Sequence, residues 1–357
     1  MGKTYINGVG CISAQKTFDT VFLEAALWNQ TDNVLPVEVP VYKDFITPAA
    51  IRRMAKGVKN GIVASALAMQ EAGIDSPDAI ITGTGLGCTE DSDKFLKAMI
   101  DNNEEFLTPT SFIQSTHNTV GSQIALGLQC KSYNFTYVNA AVSFESALID
   151  AKLQFDENEA NTILVGGIDE MSGYTTLLYK LAGFIKKEEE NPYTVLDSTT
   201  KGVVYSEGAT FFVLEDQIKP TTYAEVVDVE IYNRLDRKTV EAKALDFLKT
   251  NRLEVSNIDA LILGFNGDIE YDGFYRELTE NSFSNTPQLY YKHLSGEYNT
   301  ASAFGLWVGS KILKQQEIPK ILKVNLVEKP TLRKILLYNQ YKGTDHSFTL
   351  LSDVESQ

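Results

Sequence analysis

A chain of 357 residues with 43% hydrophobic content can bury a large core, so one big domain or two fused ones is expected and a disulfide-stapled miniprotein is excluded. The formal charge of -15 argues against a nucleic-acid or anionic-membrane surface, since either needs clustered Lys and Arg. Cys11, Cys88 and Cys130 have no metal-ligand spacing, and MGKTYINGVG has no apolar leader core, so a reduced, cytoplasmic protein without signal peptide or membrane span is expected.

In chain order, "INGVGCISA" (Ile6 to Ala14) reads as an opening strand. Met54 to Ala72 predicts an amphipathic helix with Val58, Ile62, Val63 and Ala66 on one face, followed by a turn and the buried run Ala79 to Thr82, closed by glycine. Ser143 to Phe155 predicts a helix leading through the polar "DENEANT" into a strand, Ile163 to Val165. The charged run Lys186 to Asn191 reads as a solvated loop.

The pattern then recurs. Thr239 to Leu253 predicts a helix with Val240, Ala244, Leu245 and Leu248 on one face, and the buried run Ala260 to Leu263 follows, again closed by glycine. Ala301 to Gln315 predicts a helix leading through "QQEIPK" into a strand, Ile321 to Val324. Apolar runs flanked by helices imply sheets covered on both faces, and the repetition implies an α/β fold built by internal duplication.

This duplicated pattern resembles the thiolase-fold β-ketoacyl synthases over nearly the whole chain. The motifs carrying the resemblance are the opening strand, "TPTSFIQSTHNTVGSQIAL" (Thr108 to Leu126), "LVGGIDEM" (Leu164 to Met171) and "KGVVYSEGATFFVLED" (Lys201 to Asp216). The resemblance implies an αβαβα layered fold with two pseudo-duplicated halves, residues 1–215 and 216–357. In that family a cysteine at a sharp turn opening a buried helix is the nucleophile, activated by the helix dipole and backbone amides.

The matching segment, "YVNAAVSFESALIDA", puts Ala141 at the cysteine position, and a methyl group cannot attack a thioester. The family's first histidine is matched to Phe265 in "ALILGFNGD", and its second to Glu297 in "KHLSGEYNTASAFG", where Lys292 is retained. Those imidazoles normally donate hydrogen bonds to a developing oxyanion; Phe265 has no donor, and an ionised Glu297 would repel the charge. The glycine-rich gate of the family corresponds to "QYKGTD", with Tyr341 at the gate position. Lys292 and Glu297 are expected to form an ion pair.

These departures resemble the chain-length-factor type of subunit, a silent partner of an active ketosynthase, and the short chain resembles those of bacterial aryl polyene and flexirubin-type pathways. The resemblance implies a heterodimer in which the partner supplies Cys-His-His and engages the acyl carrier protein, with no cofactor. Phe144 is then a candidate for setting product length, or ordinary core. Two other readings stay open: a free-standing acyl-transfer or condensing enzyme using a displaced nucleophile such as Cys88, and a homodimeric acyl-binding scaffold. His117, His293 and His346 read as structural or exposed, no metal-binding pair stands out, and "GTGLG" lacks the spacing of a dinucleotide turn.

Overall fold

The structure, a computed structural model, describes residues 2–18 and 21–354. Its main sheet has ten strands: β1 (Tyr5–Ile12), β2 (Ala79–Gly83), β3 (Tyr133–Tyr137), β4 (Thr162–Asp169), β5 (Gly208–Glu215), β6 (Ala224–Asn233), β7 (Ala260–Leu263), β8 (Gln288–Tyr290), β9 (Lys334–Tyr341) and β10 (Asp345–Ser352). They lie in the order β3-β2-β4-β5-β1-β6-β10-β9-β7-β8. Adding five to each number of the first half gives the second half in mirror order, and strand directions repeat too. β2 is parallel to β3 and β4, as β7 is to β8 and β9, and the remaining neighbours are antiparallel. Within the main sheet of the described residues, the halves meet where β1 pairs with β6, through Tyr5 with Glu225 and Ile6 with Ala224.

The principal helices are α1 (Lys56–Ala72), α2 (Thr89–Asp101), α3 (Pro109–Ser115), α4 (Thr119–Leu128), α5 (Ser143–Asp156), α6 (Gly173–Leu181), α7 (Val240–Thr250), α8 (Gly273–Thr279) and α9 (Ser302–Gln315). Strand side chains alternate between faces, and that alternation sorts the core into three clusters. Ile80, Phe211 and Val213 face outward against Val58, Val63, Ala64 and Ala68 of α1. Their neighbours Ile81, Phe212 and Leu214 face inward, where Phe144 and Leu148 of α5 and Phe304 and Leu306 of α9 share one cluster with Ile262, Ile335 and Leu337 of the other half. Leu261, Leu263 and Leu336 face out again, onto Val240, Ala244, Phe247 and Leu248 of α7. The layering is therefore αβαβα, as the resemblance implies. Helices apolar nearly all round belong inside a domain, and α9, SAFGLWVGSKILKQ, is buried along most of its length.

Two sequence expectations need correction. Ile321 to Val324 is no strand: Lys320–Leu322 is a 3₁₀ turn with a single bridge from Lys323 to Leu289. The place beside β7 is taken by β9, a longer strand with six consecutive buried residues that begin with the apolar run Ile335 to Tyr338. Lys186, expected in a solvated loop, is buried. Its ammonium donates to Ser198 Oγ, Thr200 Oγ1 and the Gly267 carbonyl, each at 2.9 Å, while Glu188–Glu190 form the solvated part.

Candidate functional site

The site begins where β3 runs into α5. Ala140 takes φ 44, and a short 3₁₀ turn, Ala140–Val142, opens the helix. Ser143 Oγ fixes the turn by sharing its one hydrogen between the Thr84 carbonyl at 3.0 Å and the Ala140 carbonyl at 2.7 Å. Gly83 lets the backbone of α5 come this close, because a Cβ there would lie 2.4 Å from the Ser143 carbonyl oxygen. A sharp elbow thus opens the helix, and the residue on it is Ala141, 2% exposed. Its N–H, at the helix start where an oxyanion would be stabilised, donates instead to Asp345 Oδ2 at 3.3 Å.

The loop after β7 and the helical turn Lys292–Ser295 supply the second part. Lys292 and Glu297 form the expected ion pair, with Nζ 2.7 and 2.9 Å from the two carboxylate oxygens, and their side chains are only 1% and 4% exposed. Glu297 Oε2 also accepts from Asn266 Nδ2 at 2.6 Å. Phe265 does not face this cluster. Its ring packs on Tyr275, centroids 4.8 Å apart, in the outer core. The side chain facing Glu297 is Asn266, which sequence reasoning passed over. The signal was available: Asn266, not Phe265, is the residue immediately before Gly267. Asp272 accepts the Asn266 and Gly267 amides, and burial pushes its carboxyl up to about 7.

The segment around Tyr341 is a tight hairpin joining β9 to β10, with Tyr341 paired to Asp345 and Lys342 and Gly343 both at positive φ. Burial raises the Tyr341 phenol well above its ordinary range, and Glu297 and Asp345 push the same way. Tyr341, Glu297, Asn266, Tyr205 and Lys342 line one small cavity of about 20 Å³, room for about one water. The structure therefore brings Glu297, Lys292, Asn266 and Tyr341 together, with Ala141 linked to them through Asp345.

The other sequence candidates lie apart. Phe144 is 1% exposed and packs on Phe212 in the central core, ring centroids 5.7 Å apart. Cys88 is buried, and desolvation with the nearby Glu170 and Asp91 charges drives its thiol pKa far up, the reverse of an activated thiolate. His293 is buried against Tyr290, centroids 3.9 Å apart, and burial lowers its pKa to about 3. His346 is bonded to the Tyr338 hydroxyl at 3.0 Å, and His117 is exposed. Among the described residues no cluster of His, Cys, Asp or Glu could hold a metal, and no helix is long and apolar enough to cross a membrane. Asp169, in "LVGGIDEM", accepts from the Gly85, Leu86 and Thr300 amides and so ties the loop after β2 to the start of α9.

Residues 42–219 match the family model described as beta-ketoacyl synthase, N-terminal domain. This chain belongs to the β-ketoacyl synthase family. Solved structures share the synthase fold at low identity. A beta-ketoacyl synthase from Burkholderia phymatum STM815 superposes with a TM-score of 0.81 at 17% identity, over 99% of this chain and 100% of that one. The ishigamide ketosynthase/chain length factor reaches 0.78 at 17%, over 98% and 99%. A ketosynthase (ApeO) in complex with its chain length factor (ApeC) from Xenorhabdus doucetiae reaches 0.75 at 14%, over 99% and 98%. No curated protein sequence matches the chain.

Proposed function

We propose that this synthase-family chain is the noncatalytic, chain-length-factor-like subunit of a heterodimeric β-ketoacyl-[acyl carrier protein] synthase in a fatty acid or polyene-type pathway. The observation that carries the reading is the buried Lys292–Glu297–Asn266 cluster beside an elbow occupied by Ala141. In this family, condensation needs a thiolate and donors aimed at a developing oxyanion. Here the elbow amide and the lysine are both engaged by carboxylates. The first-histidine position is assigned to Asn266 and the second to Glu297, and residues 1–215 and 216–357 are taken as the duplicated halves.

The active partner then supplies Cys-His-His, receives the acyl group from the carrier protein and carries out decarboxylation and Claisen condensation. Two neighbours of the fold are a ketosynthase with a chain length factor, and a third is a carrier protein in complex with its ketosynthase, which supports these partner kinds. Surface chemistry supports pairing as well. β3 is the last strand of its half, a pairing-competent edge. Tyr133 is 41%, Phe135 46% and Val138 50% exposed; the rings of Tyr133 and Phe135 stack along it, and Tyr137 packs on Phe135 at a tilt. Leu96 and Ile100 on α2, with Leu177 and Leu181 on α6, add exposed apolar surface of the kind that marks an interface.

The test is acylation. The purified chain, incubated with an acyl thioester and followed by mass spectrometry, should gain no acyl mass, and should co-purify with a co-expressed ketosynthase that has an intact cysteine. Acylation of the lone chain that disappears in Cys88→Ala would favour the free-standing enzyme instead. A stable homodimer that ignores the ketosynthase would favour the scaffold.

A further inference from the structure

The small cavity beside Glu297 has the walls of a receptor for an organic cation. They are largely aromatic, from Tyr179, Phe184, Tyr205, Tyr271 and Tyr341, and Asp268 and Glu297 add two carboxylates. The rings touch one another: the Tyr179 centroid lies 5.6 Å from that of Phe184, edge-on, and 5.2 Å from that of Tyr205. The face of an aromatic ring carries negative charge density, so a box of rings attracts a cation that has shed its water.

A cation already sits in this box, and it is the chain's own. Lys342 lines the cavity, with Nζ 2.9 Å from the centroid of the Phe184 ring and 5.1 Å from that of Tyr341. The two rings come from distant parts of the chain, Phe184 from the segment after α6 and Tyr341 from the end of β9. Burial lowers the pKa of the Lys342 ammonium, while the charges of Asp268 and Glu297 pull it back up. Lys342 stands at the tip of the hairpin, at φ 50 beside Gly343 at φ 63, so its side chain can swing out by rotamer changes that leave the strands in place. With the lysine in, the space of about 20 Å³ admits about one water; with it out, the volume of a four-carbon ammonium arm is freed against the rings.

We propose that this aromatic box is a binding site for a small alkylammonium ion, and that Lys342 is its built-in occupant, which an external amine displaces. The ligand class follows from what the box holds now: an ammonium head against Phe184 and Tyr341, with carboxylates of the opposite charge in the same walls. Self-occupancy makes the site conditional, since the external amine binds only the fraction of molecules in which Lys342 is out. Binding needs no acyl transfer and no ketosynthase, so this site stands or falls separately from the proposed function.

Calorimetric titration of the whole protein with n-butylammonium, which copies the lysine side chain from Cβ to Nζ, tests it, with butan-1-ol as the uncharged counterpart. Lys342→Gly empties the box and suits a backbone at φ 50, and this variant should bind n-butylammonium saturably at one per chain. The parent should bind it at the same stoichiometry but at least about tenfold more weakly, because its own lysine competes. Adding Phe184→Leu to Lys342→Gly should weaken n-butylammonium about tenfold, the size of a desolvated cation–π contact. Butan-1-ol should saturate none of these proteins. Absence of saturable binding in Lys342→Gly, equal affinity in that variant and the parent, unchanged affinity after loss of the Phe184 ring, or equal binding of butan-1-ol would each overturn the proposal and leave Lys342 as a structural latch.

Discussion

Removing Glu297 alone should be far more damaging than removing it together with Lys292. The Lys292 side chain is 1% exposed, and its ammonium donates to both carboxylate oxygens of Glu297, at 2.7 and 2.9 Å. Glu297→Ala therefore leaves a lone cation in the core, a loss of about 3–5 kcal/mol. At about 2.1 cal/mol/K per residue, a chain of this length has an unfolding entropy of about 0.75 kcal/mol/K, so the melting temperature should fall by about 4–7 °C. Lys292→Met with Glu297→Leu removes both charges and keeps volume, and replacing a buried pair in this way is often near neutral. The double variant should melt within about 2 °C of the parent. Differential scanning calorimetry at one protein concentration reads both values and gives the coupling energy by a double-mutant cycle. A fall of less than about 1 °C in Glu297→Ala would refute the reasoning, because the pair would then be behaving as a solvated surface contact.

Phe144→Ala should cost about 3–5 kcal/mol, as truncation of a filled core does, and a denaturant titration reads it; an unchanged midpoint with longer products from a ketosynthase pair would restore the length-setting role. His293 is held neutral, with its pKa near 3 in the fold against about 6.5 when unfolded. Between those values only the unfolded chain takes the proton, so stability falls as pH drops below 6.5, by up to about 1.4 kcal/mol per unit. His293→Phe should flatten that part of the melting profile between pH 7 and 4. Ala141→Cys should not restore condensation, since general acid–base groups and oxyanion donors are each worth about 10²–10⁴ in rate; malonyl turnover by the variant would show that the elbow still supports the chemistry. Phe135→Lys, 46% exposed in the free chain, should leave the melting temperature in place but weaken ketosynthase pairing at least about tenfold if the ring is an interface anchor, as read by size-exclusion chromatography of the mixture.

The duplicated fold was legible because each half repeats a local signal: an amphipathic helix, a short buried run and a glycine. Ala79 to Thr82 and Ala260 to Leu263 do fall at matching positions, in β2 and β7. Ile321 to Val324 misled because a short apolar run looks the same whether it forms a strand or packs as a turn, and the competing partner, β9, lies further along the chain. The assignment of Phe265 ignored strand parity. Phe265 continues the outward series Leu261 and Leu263, whereas Asn266 shares the parity of inward-facing Ile262. The contact between Asp345 and the Ala141 amide spans 204 residues, and nothing local encodes it.

The one-water space beside Glu297 has a consequence for traffic as well as chemistry. In a pair assembled as proposed, only one of the two elbows carries a thiol, so cargo is delivered to that one and no second growing chain competes for extender units. Such a pair is asymmetric by construction rather than by negative cooperativity. Its acyl load would saturate at one group per two subunits at any carrier concentration.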